Sequence, residues 1–263
     1  MMLFIFIILC SLNAITLQEV YNSSEPYGEY EKYIILENNI IYEGGIGVFE
    51  GDVFIEGNGA IINLENQGGI WVYSEPNYMA SLDINNCTII NGLYYGISYA
   101  GNANGNITNC NFINNGYGVQ VSDSTQINIK NSNFINNTIY GLAIYGSTST
   151  CNVNYCNSWG NVESSWMESC LSWGNIWAPW EPEGEGMIEQ DPLFIDLDNW
   201  NFSYQQNSPC IDAGDPLEID PDGSRRDIGT YFSNTCSNLG DINNDNSIDI
   251  IYVVQIVSQI INN

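Results

Sequence analysis

The chain has 263 residues, with 31 Asp and Glu against 4 Lys and Arg and no His, a formal charge of −27. Such a charge excludes a phosphate-backbone or anionic-bilayer ligand. The lack of imidazole excludes His-based zinc sites, Ser-His-Asp triads and His general bases. Hydrophobic residues at 44% exclude a disordered acidic chain, while 38 Asn and 37 Ile ask for a repetitive explanation.

At the N-terminus, Leu3 to Leu9 are all apolar and Cys10-Ser-Leu-Asn-Ala14 follows. A run of this length matches the h-region of a signal peptide and is too short to span a bilayer. The expectation is a signal over residues 1–14, cleavage near Ala14, and a secreted, extracellular or cell-surface protein. Seven cysteines then remain: Cys87, Cys110, Cys151, Cys156, Cys170, Cys210 and Cys236. The odd count leaves at least one thiol outside any internal disulfide. Without a Cys-x-x-Cys pair, neither a zinc knuckle nor a thioredoxin-type centre is indicated.

Next comes a gapless repeat: Ile84-Asn-Asn-Cys-Thr-Ile-Ile-Asn91, Ile107-Thr-Asn-Cys-Asn-Phe-Ile-Asn114 and Ile129-Lys-Asn-Ser-Asn-Phe-Ile-Asn136, spaced 23 and 22 residues. Val153-Asn-Tyr-Cys156 is a fainter copy 24 residues on, and Gly69, Gly96, Gly118 and Gly141 mark a second register. Apolar residues alternate at period two, and no stretch before residue 240 has helical periodicity. Short strands in a repeat of this length form one coil of a parallel β-helix, whose inner face is buried only by stacking. Coils lie ~4.8 Å apart, so equivalent side chains form ladders. Ile84, Ile107, Ile129 and Val153 are expected inward, and Asn91, Asn114 and Asn136 in one amide-bonded column. The glycines are expected at sharp, sometimes left-handed corners. Cys87, Cys110 and Ser132 share another column, either as buried thiols or with a disulfide.

These segments resemble the right-handed parallel β-helix repeats of the pectate-lyase-like superfamily, over residues 33–178. The resemblance implies an all-β solenoid and leaves function open, because lyases, hydrolases, adhesins and plain binders share the coil. Asp191-Pro-Leu-Phe194, Ser208-Pro-Cys-Ile-Asp-Ala-Gly-Asp215 and Asp220-Pro-Asp-Gly-Ser-Arg-Arg-Asp-Ile-Gly229 look like the closing coil of secreted bacterial β-helix proteins. The expected organisation is therefore a β-helix over residues 15–232, with a C-terminal capping coil at 179–232, and a linker at 233–240.

A loop and short helix follow at 241–263. Asp241, Asn243, Asp245, Ser247 and Asp249 put oxygen ligands at positions 1, 3, 5, 7 and 9 of an EF-hand-like loop. Ile250, Val253, Val254, Val257, Ile260 and Ile261 form the stripe of an amphipathic helix. The pattern resembles the first half of a type I dockerin repeat, which implies weak Ca²⁺ binding and a cohesin-like protein or cell surface as partner. It departs from that pattern at position 12, which is Tyr252 rather than an acid, and in lacking a second repeat. A polar turn that merely starts a helix is the other reading.

Chemistry is sparse in the repeats. Between Ile84 and Val162 only Asp123 and Lys130 are charged, so a glycosidase carboxylate pair cannot come from these coils. Lys130 is expected as solvated strand decoration, and Arg226 in a local ion pair with Asp227. Thirteen acids fall between residues 181 and 227, Glu181, Glu183 and Glu185 among them, and most are expected to be solvated or structural. Five of the seven Trp lie between Trp159 and Trp180. Trp159 and Trp173 share a Ser-Trp-Gly-Asn motif and are expected to pack. Trp166, Trp177 and Trp180, with Glu181 at the rim, are the candidate carbohydrate platform, core filling being the competing reading. Two functions stay open: a secreted, polysaccharide-associated binding or structural β-helix with a docking tail, or a glycoside hydrolase or polysaccharide lyase with loop carboxylates.

Overall fold

The computed structural model describes residues 14–38, 40–146, 148–169, 178–179 and 182–231. The chain winds through six coils, each with one strand on each of three parallel faces. Face C carries Lys32–Ile35, Gly51–Glu56, Ala80–Asn85, Asn104–Thr108, Gln126–Lys130 and Thr150–Asn154. Face A follows with Ile41–Glu43, Ile61–Asn63, Thr88–Ile90, Asn111–Ile113, Asn133–Ile135 and Asn157–Trp159. Face B completes each coil with Gly47–Val48, Ile70–Ser74, Tyr95–Gly101, Tyr117–Ser122, Tyr140–Tyr145 and Ser164–Ser169.

The repeat period sets the core. Ile55, Ile84, Ile107, Ile129 and Val153 stand in one inward column through the paired registers of face C. On face A, Ile62, Ile89, Phe112 and Phe134 do the same, the two rings stacked 5.3 Å apart. Each buried Ile or Phe contributes ~1.5–3 kcal/mol by leaving water. Cys87, Cys110, Ser132 and Cys156 form the small-residue column, with all three thiols free and fully buried. Burial pushes the Cys110 and Cys156 thiols up to about 12, so they stay protonated.

The corners differ from the expected ones. Gly69 has the expected positive φ (136°), but Gly96, Gly118 and Gly141 are not left-handed; a Cβ on each would lie 2.4–2.6 Å from a carbonyl oxygen of the next coil. The left-handed positions belong to asparagine. Asn86, Asn109 and Asn131 turn face C into face A, and Asn91, Asn114 and Asn136 turn face A toward face B, all at φ of 50–59°. Asparagine tolerates this region better than other side chains.

One helix was not expected. Helix α1, Leu17–Ser23, has Thr16 as N-cap and Glu19 returning the bond, and it buries Leu17 completely at the N-terminal end of the coils. Its signal is the Thr16-Leu-Gln-Glu19 capping box, which is local and therefore invisible to a periodicity search.

The C-terminal segment takes two roles. Glu185 to Ile188 caps the last coil, with Tyr155 N–H bonded to Glu185 O and Ser158 N–H to Ile188 O. From Asp191 onward the chain is a strap running back along the outside of face A. The hairpin Phe194–Asp196 and Asn201–Tyr204 buries Ile90, Ile113 and Ile135 with Phe194, Phe202, Cys210 and Ile228. Gly229 permits the closest approach, since a Cβ there would lie 2.4–2.5 Å from the Asn133 and Asn111 amides.

Candidate functional site

Three outer surfaces result, and they are chemically unlike. Face A is covered by the strap over its middle coils, at Ile90, Ile113 and Ile135. Face C is a field of amides and carboxylates. Face B is open and carries no charged residue in its strands at 70–74, 95–101, 117–122 and 140–145, in a chain of charge −27.

Alternation puts every second face B residue outward. In coil 2 these are Trp71, 41% exposed, and Tyr73; Phe49, 51% exposed, meets the Trp71 ring edge-on at 5.3 Å. Tyr95 of coil 3, like Tyr117 and Tyr140, falls in the inward parity of Ile97, Val119 and Leu142 but stands half-buried at the first position of its strand, and it leans over Gly69, whose missing side chain leaves it room. Tyr117 and Tyr140 stack 6.0 Å apart, and the Tyr145 hydroxyl donates to the Tyr117 oxygen at 2.9 Å. Ser98, Gln120 and Ala143 continue the Trp71 column; Ser98 and Ala143 are buried, and Gln120 is half-buried. Burial raises the pKa of Tyr95, Tyr140 and Tyr145; Glu163 adds to this at Tyr140, and the Tyr117 hydrogen bond at Tyr145. Their phenols are therefore neutral donors around pH 7. The four coils present an uncharged strip of ring faces interrupted by hydroxyls and an amide, roughly 14 Å from the first coil to the last.

Face C offers the alternative chemistry. Asp83 accepts from the Tyr30 hydroxyl at 2.9 Å and from the Asn106 N–H and side-chain amide, each at 2.8 Å. Asp52 accepts from Ser81 at 2.5 Å on the neighbouring strand. Both carboxylates thus already hold neighbouring strands together. No group of three or more potential metal ligands occurs among the described residues.

The candidate residues from sequence distribute unevenly. Trp166 is 3% exposed and packs edge-on against Phe134 at 5.5 Å, ending the inward column Ile70, Ile97, Val119 and Leu142. Its face is closed to a ligand, so the core reading applies. Trp159, expected to pack, is instead 44% exposed. Trp177, Trp180 and Glu181 lie outside the described residues, as do Trp173 and the calcium-loop residues Asp241, Asn243, Asp245, Ser247 and Asp249.

The cations also have other roles than expected. Lys130 is not solvated decoration: it bridges to Asp215 at 3.2 Å and to Glu218, both on the strap. Arg226 pairs with Asp220 at 2.9 Å rather than with Asp227, and donates to Asn109 and Asn86 on the solenoid corner. The Lys130 bridge is tertiary and no local sequence pattern marks it, whereas the Arg226–Asp220 pair is local to the strap, six residues apart, as a local ion pair was expected to be. The aromatic strip was legible as Tyr95-Gly96, Tyr117-Gly118 and Tyr140-Gly141, one Tyr before each register glycine.

Among protein families, a model described as right handed beta helix region matches residues 18–170, more than half of the chain. No curated protein and no solved structure matches it.

Proposed function

From the chain's membership of the right-handed β-helix family, and from face B, we propose that it is a secreted binder of neutral polysaccharide. The observation that supports this most is the uncharged aromatic strip of Trp71, Tyr73, Tyr95, Tyr117 and Tyr140 on an otherwise strongly acidic protein. Sugar rings present C–H faces that stack on indole and phenol, and their hydroxyls bond to Tyr and Gln120. A polyanionic glycan would meet repulsion from the surrounding acids. The strip follows the solenoid axis, so successive sugars of one extended chain meet successive coils. The protein acts by holding, without turnover: Asp52 and Asp83 are occupied by strand-to-strand bonds, and a glycosidase needs two carboxyls free to face one bond.

Affinity electrophoresis in neutral polysaccharide gels tests this. The wild-type chain is retarded, and Trp71→Ala or Tyr117→Ala weakens binding about tenfold, equivalent to ~1.4 kcal/mol. Unchanged retardation in both variants refutes the face B site. Release of reducing ends or of unsaturated uronate by the pure protein refutes the non-catalytic part.

The tail at 241–263 is proposed to attach this binder to a cohesin-like protein or cell surface. Asp241, Asn243, Asp245 and Asp249 supply side-chain oxygens and Ser247 its carbonyl, a donor set that lacks the bidentate acid at position 12. Calcium binding is expected to be weak, and Tyr252→Asp to tighten it in calorimetry. No calcium uptake by that variant would leave the loop as a turn.

A further inference from the structure

The outer column of face A ends differently from the way it begins. Ile90, Ile113 and Ile135 are at most 1% exposed beneath the strap, yet the next residue in that column, Trp159, is 44% exposed. It stands at a cavity of about 260 Å³ between the last coils and the strap hairpin, with Ile135, Phe194 and Leu197 as apolar walls and Asp191 and Gln205 as polar lining. We propose that this cavity is a second carbohydrate site, separate from face B, that takes a single neutral pyranose ring.

Size, chemistry and backbone support that ligand. The cavity is smaller than the ~300–1,000 Å³ of drug-sized pockets, which suits one ring rather than a chain. A large indole left half-open beside apolar walls offers a stacking face. One Asp191 oxygen accepts the Leu193 N–H at 2.9 Å, and the other has no partner among the described residues. The Gln205 amide nitrogen donates to Phe194 O at 3.0 Å, and its oxygen has no partner among them. Two unused acceptors beside an indole match the hydroxyl donors on the edge of a sugar ring. Leu193 between them is left-handed at φ 52°, a conformation that a branched residue adopts only where its surroundings hold it. Asp191 and the net charge disfavour an anion.

The ligand class is the one proposed for face B, but the site and the expected ligand length are not. Saturation-transfer NMR with cellobiose, xylobiose and mannobiose separates the two, with choline and glucosamine as cationic probes. In the Trp71→Ala background, which removes the face B stacking ring, transfer to at least one neutral disaccharide is expected, and it is lost or weakened about tenfold on adding Trp159→Ala or Gln205→Ala. Polysaccharide retardation is expected to survive Trp159→Ala. Absence of transfer to every neutral disaccharide overturns the second site. Transfer undiminished by adding Trp159→Ala to Trp71→Ala, or absent already from Trp71→Ala alone, overturns it as well, the latter by moving the ring to face B. Preferential transfer to choline or glucosamine overturns the ligand class.

Discussion

Two asparagine ladders run along this solenoid with the same spacing and opposite surroundings. At the corner between faces A and B, Asn115, Asn137 and Asn161 point inward. Asn137 accepts from the Asn115 N–H at 3.0 Å, and donates to Asn161 Oδ1 at 2.9 Å and to Phe112 O at 3.2 Å. On face C, Asn106, Asn128 and Asn152 form an outward ladder, each amide donating to the oxygen one coil below at 2.9 Å, and Asn106 donating to Asp83 at 2.8 Å. Periodicity is common to both, whereas burial separates them. An amide in water exchanges one partner for another, while a buried one has no substitute.

The largest expected effect is therefore Asn137→Ala. It strips the Asn137 side-chain partner from the Asn115 N–H and from Phe112 O beneath the corner, while Asn161 Oδ1 keeps the N–H of residue 137. Each orphaned buried group costs ~1–3 kcal/mol, so a loss of about 3 kcal/mol or more is expected in urea unfolding. A loss below about 1 kcal/mol would erase the distinction between the ladders.

A third ladder lies between these extremes and depends on the strap. Asn109 donates to Asn85 at 2.8 Å, Asn85 to Glu56 at 2.7 Å, and Arg226 closes the series by donating to Asn109 at 3.0 Å. Arg226→Ala leaves Asp220, 3% exposed, without its cation. Removing one partner of a buried pair costs about 3–5 kcal/mol, and partial exposure of the Arg226 side chain places this case at or below the lower end. The pH dependence has a definite sign. Burial, opposed by the Asp227 N–H and Arg226, holds the Asp220 pKa above its ordinary value. A raised folded pKa means stability that is present in acid and lost as pH rises through it. Without Arg226 that pKa climbs further, so the variant's deficit is expected to shrink between pH 7 and pH 4. A deficit equal at both values would show that Asp220 is not the group left exposed to the loss.

How much of this was legible depends on range. The coil, its inward Ile column and the face B tyrosines recur every 22–24 residues, and recurrence survives without any structure. The inner ladder was missed by one residue for a physical reason. The sequence holds Asn91-Gly92, Asn114-Asn115, Asn136-Asn137 and Gly160-Asn161 at the same corner. The first of each pair needs a left-handed backbone, which Asn and Gly both accept; the second needs an inward amide, or in Gly92 an N–H that donates to Asn115 at 2.8 Å. Asn satisfies either demand, so the doublets alone do not say which faces in. Asn91 still reaches Asn63 at 3.0 Å, but Asn114 is exposed. The strap contacts of Lys130 and Arg226, 85 to 140 residues apart in sequence, leave no local trace. Trp166 shows the same limit from the other side. Nothing adjacent to it distinguishes an end-of-core indole from an open one.

The smallest effect sharpens the comparison most. Asn128→Ala removes the centre of the outward ladder, leaving Asn106 Oδ1 and the Asn152 amide to water. Both neighbours are exposed, so solvent replaces each lost bond. Cross-strand pairs on an open sheet face contribute ~0.2–1 kcal/mol, and the expected loss lies at the low end, about 0.5 kcal/mol or less. The pair Asn106→Ala with Asn152→Ala, which do not bond each other, then asks whether the ladder is more than its rungs. If the amides polarise one another along the axis, the double variant loses less than the sum of its singles, because the second removal acts on an already broken chain. If each rung is independent, the losses add to within ~0.3 kcal/mol. High dielectric around an exposed ladder screens such polarisation, so additivity is the expected outcome here. The same cycle on Asn115 and Asn137 is expected to deviate, because those amides share bonds out of reach of water.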